Sequence, residues 1–463
     1  MMQKMFLGSR RDQPRHARGF GMETDAKKIA SEGKWGYIGS QPIGQTKFPG
    51  RTKALRSRGI TVAKSASRRY FAGLSKNTFL LALASLFADI SSEMLYPVLP
   101  VFLTQTLKAT GSIVGLVDGF AQAAQNIVQG FSGALSDKLQ KRKSIALAGY
   151  LISAFAKPLM GLSTVWQGLF GARLLDRLGA GTRSAPRDAL IASSVDEKDR
   201  GRAFGIEGVG DNAGAFLGPL LAVLLLYALH VALRPVFYLA LIPGLLAFFM
   251  VLLVNEKPAK VASKSKIDVN LRQLPKGYWK YLLVIALFGL GNSSNAFLIL
   301  RTQDIGASLE TTILIYAAFN LVAALISYPV GSLSDTLGRR NVLLVSFVIF
   351  LVAYLGFALT QNVLVVAVLF GLYGLYEGIF RSVGKAFASD FVPEHLRASG
   401  VGWYSTSVGL LQLVASVVAG LLWDRIGHAA VFYYGAAFAF VGSIGLLLLI
   451  PSRHEGRNAA MTD

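Results

Sequence analysis

Segments of about 20–25 mostly apolar residues recur along this chain, each long enough to cross a lipid bilayer as a helix. They follow one another from Asn77 onward, with only short polar loops between them. The hydrocarbon core of a bilayer offers no water to backbone N–H and C=O groups, so a spanning segment must satisfy them internally. The recurrence therefore predicts an all-α, multi-pass integral membrane protein.

The length of the chain accommodates twelve such helices. The 387 residues after residue 76 leave roughly 32 for each helix and its loop, which is enough for a span. With 53% hydrophobic and only 16% charged residues, a soluble enzyme or a disordered chain is excluded. The predicted helices cover 77–106, 111–136, 144–163, 166–192, 203–229, 235–254, 279–300, 311–333, 342–360, 363–389, 399–423 and 429–450.

Most of the net charge of +21 lies ahead of the first helix. Residues 1–76 hold 17 Lys+Arg against 4 Asp+Glu, with no sustained apolar period, so we expect a disordered cytoplasmic tail. Ser67, Arg68 and Arg69 resemble a twin-arginine export signal, but a basic flank that retains the N-terminus in the cytoplasm explains them more simply. A transit peptide or an overextended start of translation stays open. Because the basicity belongs to this tail, nucleic acid is not an expected partner.

A polar stretch divides the helices into two halves that repeat each other. Gly133-Ala-Leu-Ser-Asp137 returns 198 residues later as Gly331-Ser-Leu-Ser-Asp335, and His230 returns as His428 at the same offset. A shared offset indicates a duplicated unit. The prediction is two pseudo-symmetric six-helix bundles, at 77–254 and 279–450, joined by a cytoplasmic linker at 255–278 and followed by a tail at 451–463.

The distribution of Lys and Arg in the loops predicts the orientation. Cytoplasmic loops of membrane proteins carry an excess of these residues. One set of loops is rich in them, whereas the opposite set has little beyond Lys108, Arg234, Arg301 and Arg425. Both termini and the linker are therefore expected in the cytoplasm. The membrane is expected to be a bacterial inner membrane.

The loops after the second and eighth helices resemble the signature G-x-x-x-D-R-x-G-R-R of the major facilitator superfamily. When Lys is counted as equivalent to Arg, each copy departs from it once, at Gln140 and at Thr336. The resemblance covers 77–450 and implies that family's transporter fold. It also implies that the two loops form a gate between the halves, with these residues in it: Gly133, Asp137, Lys138, Arg142, Gly331, Asp335, Arg339 and Arg340.

The fifth helix resembles the antiporter motif of that family. The matching residues are Gly205, Gly214, Gly218 and Pro219, while Ala222 and Val223 replace a final Gly pair. The motif implies export in exchange for protons. Close packing of helices through small residues is an alternative explanation of the same glycines. The first and fourth helices further resemble a largely uncharacterised branch of prokaryotic permeases.

Ionisable residues inside the membrane are candidate functional residues because they are costly there. Asp89 and Glu93 lie four residues apart on one helix face, and we expect them to carry the transported proton. A carboxylate that alternates between water and a desolvated site changes its proton affinity, which can couple a gradient to movement. We expect a substrate cavity lined by Asp118, Gln122, Gln125, Arg173, Asp176, Arg177, Asn292, Asn295, Glu377 and Arg381.

Two of these assignments have alternatives. Arg173, Asp176 and Arg177 could instead pair structurally with the carboxylates of the first and second helices. For Lys157, on the third helix, an ion pair inside its own bundle is expected rather than contact with a substrate.

The leading functional prediction is a secondary transporter that moves a small solute by alternating access, as a proton-coupled exporter. A symporter importing an anionic metabolite through Arg173 or Arg177 is an alternative, and a receptor that does not transport is another. We expect a monomer in the lipid bilayer, with a proton gradient as the driving force, without a cofactor and without enzymatic activity. Lack of Cys disfavours copper or zinc, although a hard cation on Asp89 and Glu93 stays open.

Overall fold

The computed structural model describes residues 74–196, 199–256, 274–393 and 396–451. All regular secondary structure in these ranges is helical, which confirms the all-α prediction. The basic tail, most of the linker and the C-terminal tail lie outside the described residues, as does the side chain of Asp137.

Within these described ranges the helices group into twelve consecutive segments, six in each half. Those of the first half are Lys76–Glu93 continued by Leu99–Val101 and Phe102–Thr106, then Gly111–Leu139, Arg142–Leu162, Trp166–Ser193, Arg200–Val223 continued by Leu224–Ala228, and Leu233–Leu239 continued by Leu241–Leu252. Those of the second half are Lys276–Gly289 continued by Ala296–Asp304, then Leu309–Leu337, Arg339–Leu359, Val363–Asp390, Arg397–Arg425 and His428–Leu449. Below, these segments are called the first to the twelfth helix.

Eight of the twelve helices are long and apolar enough to cross a membrane by length and composition. The first, second, fourth and seventh are outside that set. Interruptions shorten the first and seventh helices, and polar or charged residues lower the apolar content of the first, second and fourth. These four helices are also the ones to which the sequence assigned most of the cavity residues. Their passage through the membrane stays a prediction.

The first and seventh helices are interrupted at corresponding positions of the two halves. In the first, the α-helix ends at Glu93 and resumes at Leu99, with Pro100 near its new start. In the seventh, it ends at Gly289 and resumes at Ala296. Proline lacks an N–H donor and is tolerated at such a start. Each break places polar side chains beside the contact between the halves. In the seventh helix, the backbone N–H of Ser294 donates to the hydroxyl of Ser416 on the eleventh helix at 3.0 Å.

The second half is packed largely by aromatic rings. Phe288 stacks on Phe347 with ring centroids 4.0 Å apart, and Phe350 stacks on Tyr354 at 3.9 Å. Large rings in offset or edge contact contribute both buried area and a defined geometry. This half therefore presents the seventh, eighth and tenth helices from a rigid aromatic core.

The two halves meet closely along the second and eleventh helices, but only over part of their length. A Cβ atom on Gly115 would lie 2.1 Å from the carbonyl oxygen of Ser416, and one on Gly409 would lie 2.3 Å from the amide nitrogen of Asn126. Further along the same faces, Gly130 and Gly402 have no such neighbour within 4 Å. The halves thus touch at one end of these helices and separate toward the other.

An acidic side chain of the eleventh helix caps the start of the second helix at the closed end. The carboxylate of Asp424 accepts hydrogen bonds from the backbone N–H groups of Gly111 and Ser112, both at 2.8 Å. It also accepts one from the hydroxyl of Ser112 at 2.5 Å. The first N–H groups of a helix have no partner within it, so this contact satisfies them from the other half.

Candidate functional site

A cavity of about 360 Å³ lies between the two halves. The interrupted first helix contributes Asp89 and Glu93 to its lining. The other residues that were assigned to the site and that line it are Asp118, Gln122, Gln125, Arg177, Asn295, Glu377 and Arg381. Helices from both halves therefore bring most of the predicted polar residues to one cavity.

Arg173, Asp176 and Asn292 do not line this cavity. Arg173 and Asp176 are only 3% and 1% exposed and face the packing between helices. Asn292 lies in the break of the seventh helix, on its half-buried side. Arg173 and Asp176 instead form structural ion pairs, which was the alternative to a role in the cavity. A buried charge needs a close partner of opposite sign.

The buried charges of the first half form one connected network around Asp176. Its carboxylate pairs with Lys157 at 3.2 Å, with Arg173 at 3.2 Å and with Arg177 at 3.0 Å. The hydroxyl of Ser153 donates to it at 2.6 Å. The ion pair expected for Lys157 is thus formed, and three cations of the third and fourth helices share one carboxylate.

Asp118 extends this network to the other half. One carboxylate oxygen accepts from the guanidinium of Arg173 at 3.1 Å. The other accepts from the hydroxyl of Tyr96 at 3.2 Å and from that of Ser294, on the seventh helix, at 2.5 Å. The side chain predicted to line the cavity is therefore also a contact between the halves.

Glu93 is held by a residue of the second half. The hydroxyl of Tyr316, on the eighth helix, donates to its carboxylate at 3.1 Å. The ring of Tyr316 stacks on that of Tyr96 with centroids 5.4 Å apart. Glu93 and its neighbour Tyr96 therefore contact the eighth helix directly, across the boundary between the halves.

The glycines of the fifth helix pack against the turns that carry the two carboxylates. A Cβ atom on Gly214 would lie 2.8 Å from that of Asp89, and one on Gly218 would lie 3.0 Å from that of Glu93. Pro219 is buried beside them, whereas Gly205 is exposed. Close packing thus accounts for Gly214 and Gly218, and it sets the distance between the fifth helix and the carboxylates.

The loops after the second and eighth helices, which were predicted to form a gate, make contacts within or next to their own halves. In the second copy, Arg339 pairs with Asp335 at 3.1 Å and with Asp390 at 2.6 Å, and Arg340 donates to a carbonyl of the twelfth helix at 2.8 Å. In the first copy, the backbone N–H of Arg142 donates to Glu256 at 2.9 Å. Gly133 and Gly331 are half-buried and Lys138 is exposed. The gating role of these residues stays a prediction.

Several lining residues were not assigned to the site from the sequence: Asp211, Asn212, Tyr316, Asn320 and Gln412. For the eighth helix a signal existed, because Tyr316, Asn320 and two further lining residues follow the i, i+3, i+4, i+7 spacing of one helix face. Asp211 and Asn212 are adjacent polar residues in the glycine-rich fifth helix, and Gln412 is a single polar residue in an apolar stretch of the eleventh. Within the described ranges, no group of three or more His, Cys, Asp or Glu could hold a metal ion.

Comparison with known proteins adds three findings. The model of the Major Facilitator Superfamily matches residues 81–300 and 281–462. The chain is 38% identical over 383 residues to the uncharacterised MFS-type transporter MJ1317 of Methanocaldococcus jannaschii, covering 81% of this chain and 95% of that protein. It is 28% identical over 321 residues to the multidrug resistance protein MdtG of Escherichia coli, covering 65% and 77%.

A solved structure with the same fold is that of the nucleoside transporter NupG. It superposes with a TM-score of 0.68 at 15% identity and covers 82% of this chain and 100% of that one. At such an identity the likeness concerns the fold.

Proposed function

Because the chain belongs to the Major Facilitator Superfamily, and so is a multi-pass membrane transporter and not an enzyme, we propose that it is a proton-coupled exporter of a small solute. The transport cycle would be alternating access, in which the two six-helix halves rock about a site between them.

One observation supports this proposal above the others. The carboxylates of Asp89 and Glu93 line a cavity between halves that are in contact at one end and separated at the other. In the opposite state of the cycle these carboxylates would be accessible to water from the other side of the membrane. A group whose proton affinity differs between two conformations couples the proton gradient to the conformational change.

Export is favoured over import by two weaker lines of support. The fifth helix resembles an antiporter motif, and its Gly214 and Gly218 pack against the turns of the proposed proton carriers. The relative from Escherichia coli is named for multidrug resistance. Import of an anion through Arg173 or Arg177 loses support, since both guanidinium groups are already paired with Asp118 or Asp176.

The proposal is tested by proton-linked flux in everted vesicles that hold a proton gradient, followed with a pH-sensitive dye. Cationic drugs, organic anions and divalent metals are added in turn to vesicles with the wild-type protein. Loss of the gradient with one class of compound is expected, and it should disappear in Glu93→Gln and in Asp89→Asn. Asp196→Asn, in an exposed loop outside the cavity, is the matched control and should retain the response.

Full proton-linked flux in both carboxylate variants would contradict the proton-carrier role. If a compound moves in the same direction as the protons instead of in exchange for them, the protein is a symporter and the proposal of export is wrong. Correct membrane insertion of every variant is checked on the same vesicles.

A further inference from the structure

The lining of the cavity is hydrophilic, and this bears on the solute that the proposed transporter would carry. Of its 23 lining residues, nine are charged and eight are uncharged polar, and the other six are three aromatic residues and three alanines. Among these residues there is none of the larger aliphatic side chains against which apolar ligands usually pack. An apolar solute would strip water from the charged groups without replacing their hydrogen bonds, which is costly.

One buried guanidinium of the lining, that of Arg183, has no acceptor among the described residues. Arg183 makes no hydrogen bond or ion pair with any residue in the described ranges, and its Nε atom is buried without a partner. The side chain is 8% exposed, and its Cζ atom lies 4.6 Å from the ring centroid of Tyr150, over the ring face. A guanidinium carries five N–H donors. Leaving them unsatisfied in a buried position is unfavourable, so an acceptor is expected to arrive with a ligand.

Arg183 differs in this respect from three arginines near it. Arg173 and Arg177 pair with carboxylates of their own bundle, and Arg187 pairs with Glu207 at 2.9 Å. The Nε atom of Arg173 is also buried without a partner, but the charges of these three guanidinium groups are already compensated by carboxylates at 2.9–3.2 Å. The ring of Tyr150 positions Arg183 without consuming its donors.

A second arginine of the lining comes from the other half of the protein. Arg381, on the tenth helix, is exposed and lines the cavity. It interacts electrostatically with Glu377 on its own helix and less strongly with Asp211, Asp89 and Glu93. Arg183 and Arg381 therefore bring one cationic group from each half to the lining of the same cavity.

The volume of the cavity limits the size of the solute. About 360 Å³ lies at the lower end of the roughly 300–1,000 Å³ typical of small-molecule sites, so the cavity suits a small solute. The amide side chains of Gln122, Gln125 and Asn320 each make a hydrogen bond within the protein. Their remaining donors and acceptors could pair with hydroxyl or amide groups of the solute.

We propose that the transported solute is a small hydrophilic molecule carrying an oxyanion group, a carboxylate or a phosphate, and that Arg183 binds this group. That the solute is transported rests on the proposed function, whereas the binding of an oxyanion by Arg183 does not. Arginine suits the role because its planar fork can donate two parallel hydrogen bonds to an oxyanion.

The test is binding to the purified full-length protein, read as the rise in its unfolding temperature. The probes are succinate, inorganic phosphate, glucose 6-phosphate, glucose and tetraphenylphosphonium, each compared with chloride at the same ionic strength. At least one oxyanion probe should stabilise the wild type, and glucose and tetraphenylphosphonium should not. Succinate against glucose 6-phosphate separates a carboxylate from a phosphate preference.

The variants locate the effect. In Arg183→Gln the half-saturating concentration of the active probe should rise roughly 10- to 100-fold, as expected when a hydrogen-bonded charged partner is removed. Arg183→Lys keeps the charge but loses the fork, so it should bind with intermediate affinity, and it serves if the Gln variant fails to fold. Arg425→Gln, at an exposed helix end away from the cavity, should bind as the wild type does.

Three results would overturn the inference: stabilisation by tetraphenylphosphonium alone, equal binding of the oxyanion by Arg183→Gln, or no stabilisation by any oxyanion at tens of millimolar. Because the measurement uses no proton gradient, oxyanion binding without proton-linked flux would instead count against the proposed function only.

Discussion

At the residue scale, the main feature is a carboxylate shared by three cations inside the first half. Asp176 is 1% exposed and pairs with Lys157, Arg173 and Arg177. The sequence showed that these charges were present, but not which of them pair. Spacing along one helix relates Arg173 to Asp176, whereas Lys157 and Asp118 come from other helices, and their distance depends on tertiary packing.

Removal of the central carboxylate should destabilise the protein. Asp176→Asn leaves buried cations without compensation, and breaking a buried pair typically costs about 3–5 kcal/mol. We expect a clearly lower unfolding temperature in mild detergent. Asp335→Asn is the matched control, because it removes a carboxylate whose side chain is 65% exposed, and exposed pairs contribute only ~0–1 kcal/mol. Equal losses in the two variants would show that the buried network adds no special stability.

At the element scale, the contact between the second and eleventh helices depends on the absence of side chains. The backbone of Gly115 lies against that of Ser416, and the contact ends where Gly130 and Gly402 face open space. The bounds of these helices were predicted within a few residues. The one-sided contact was not, because hydropathy identifies a span without specifying which part of it touches another helix.

A side chain introduced into that contact should force the closed end apart. In Gly115→Val the Cβ atom alone would meet the carbonyl oxygen of Ser416 at 2.1 Å, so the helices must separate. The chain has no Cys, so Ser416→Cys, at a fully buried position, provides a single reactive group. Its maleimide labelling should be severalfold faster in Gly115→Val. Gly130→Val, on an open surface, should leave the labelling rate unchanged, and an unchanged rate in both would contradict the interpretation of the contact.

At the scale of the whole molecule, the repeat, the hydropathy pattern and the loop motifs were sufficient to predict the fold family. They succeeded because spans and repeats are local or periodic in sequence. Much of the site escaped this reasoning, since its decisive contacts cross between halves. Tyr316 and Glu93 are 223 residues apart, and no periodicity relates them.

Rocking of the halves predicts opposite changes at the two ends of the protein. Spin labels on Thr110→Cys with Arg425→Cys report the closed end, and labels on Leu139→Cys with Leu337→Cys report the open end. When the first distance lengthens, the second should shorten. Asp424→Ala removes the cap on the second helix, a loss typically costing about 0.5–2 kcal/mol, and should raise the population with a long first distance.

Asp196→Ala, in the exposed loop, should leave both distance distributions as in the wild type. Independent changes at the two ends would rule out rigid rocking.

The position of Asp118 has a thermodynamic consequence for such a cycle. Its carboxylate lines the cavity and also accepts a hydrogen bond from Ser294 of the other half. This contact between the halves is called the seam below. A solute that competes for this carboxylate or displaces Tyr96 would weaken the seam by a definite coupling free energy. Linkage is reciprocal, so opening the seam must change the affinity for that solute by the same factor. The two faces of the membrane would then meet binding sites of unequal strength, built from the same side chains.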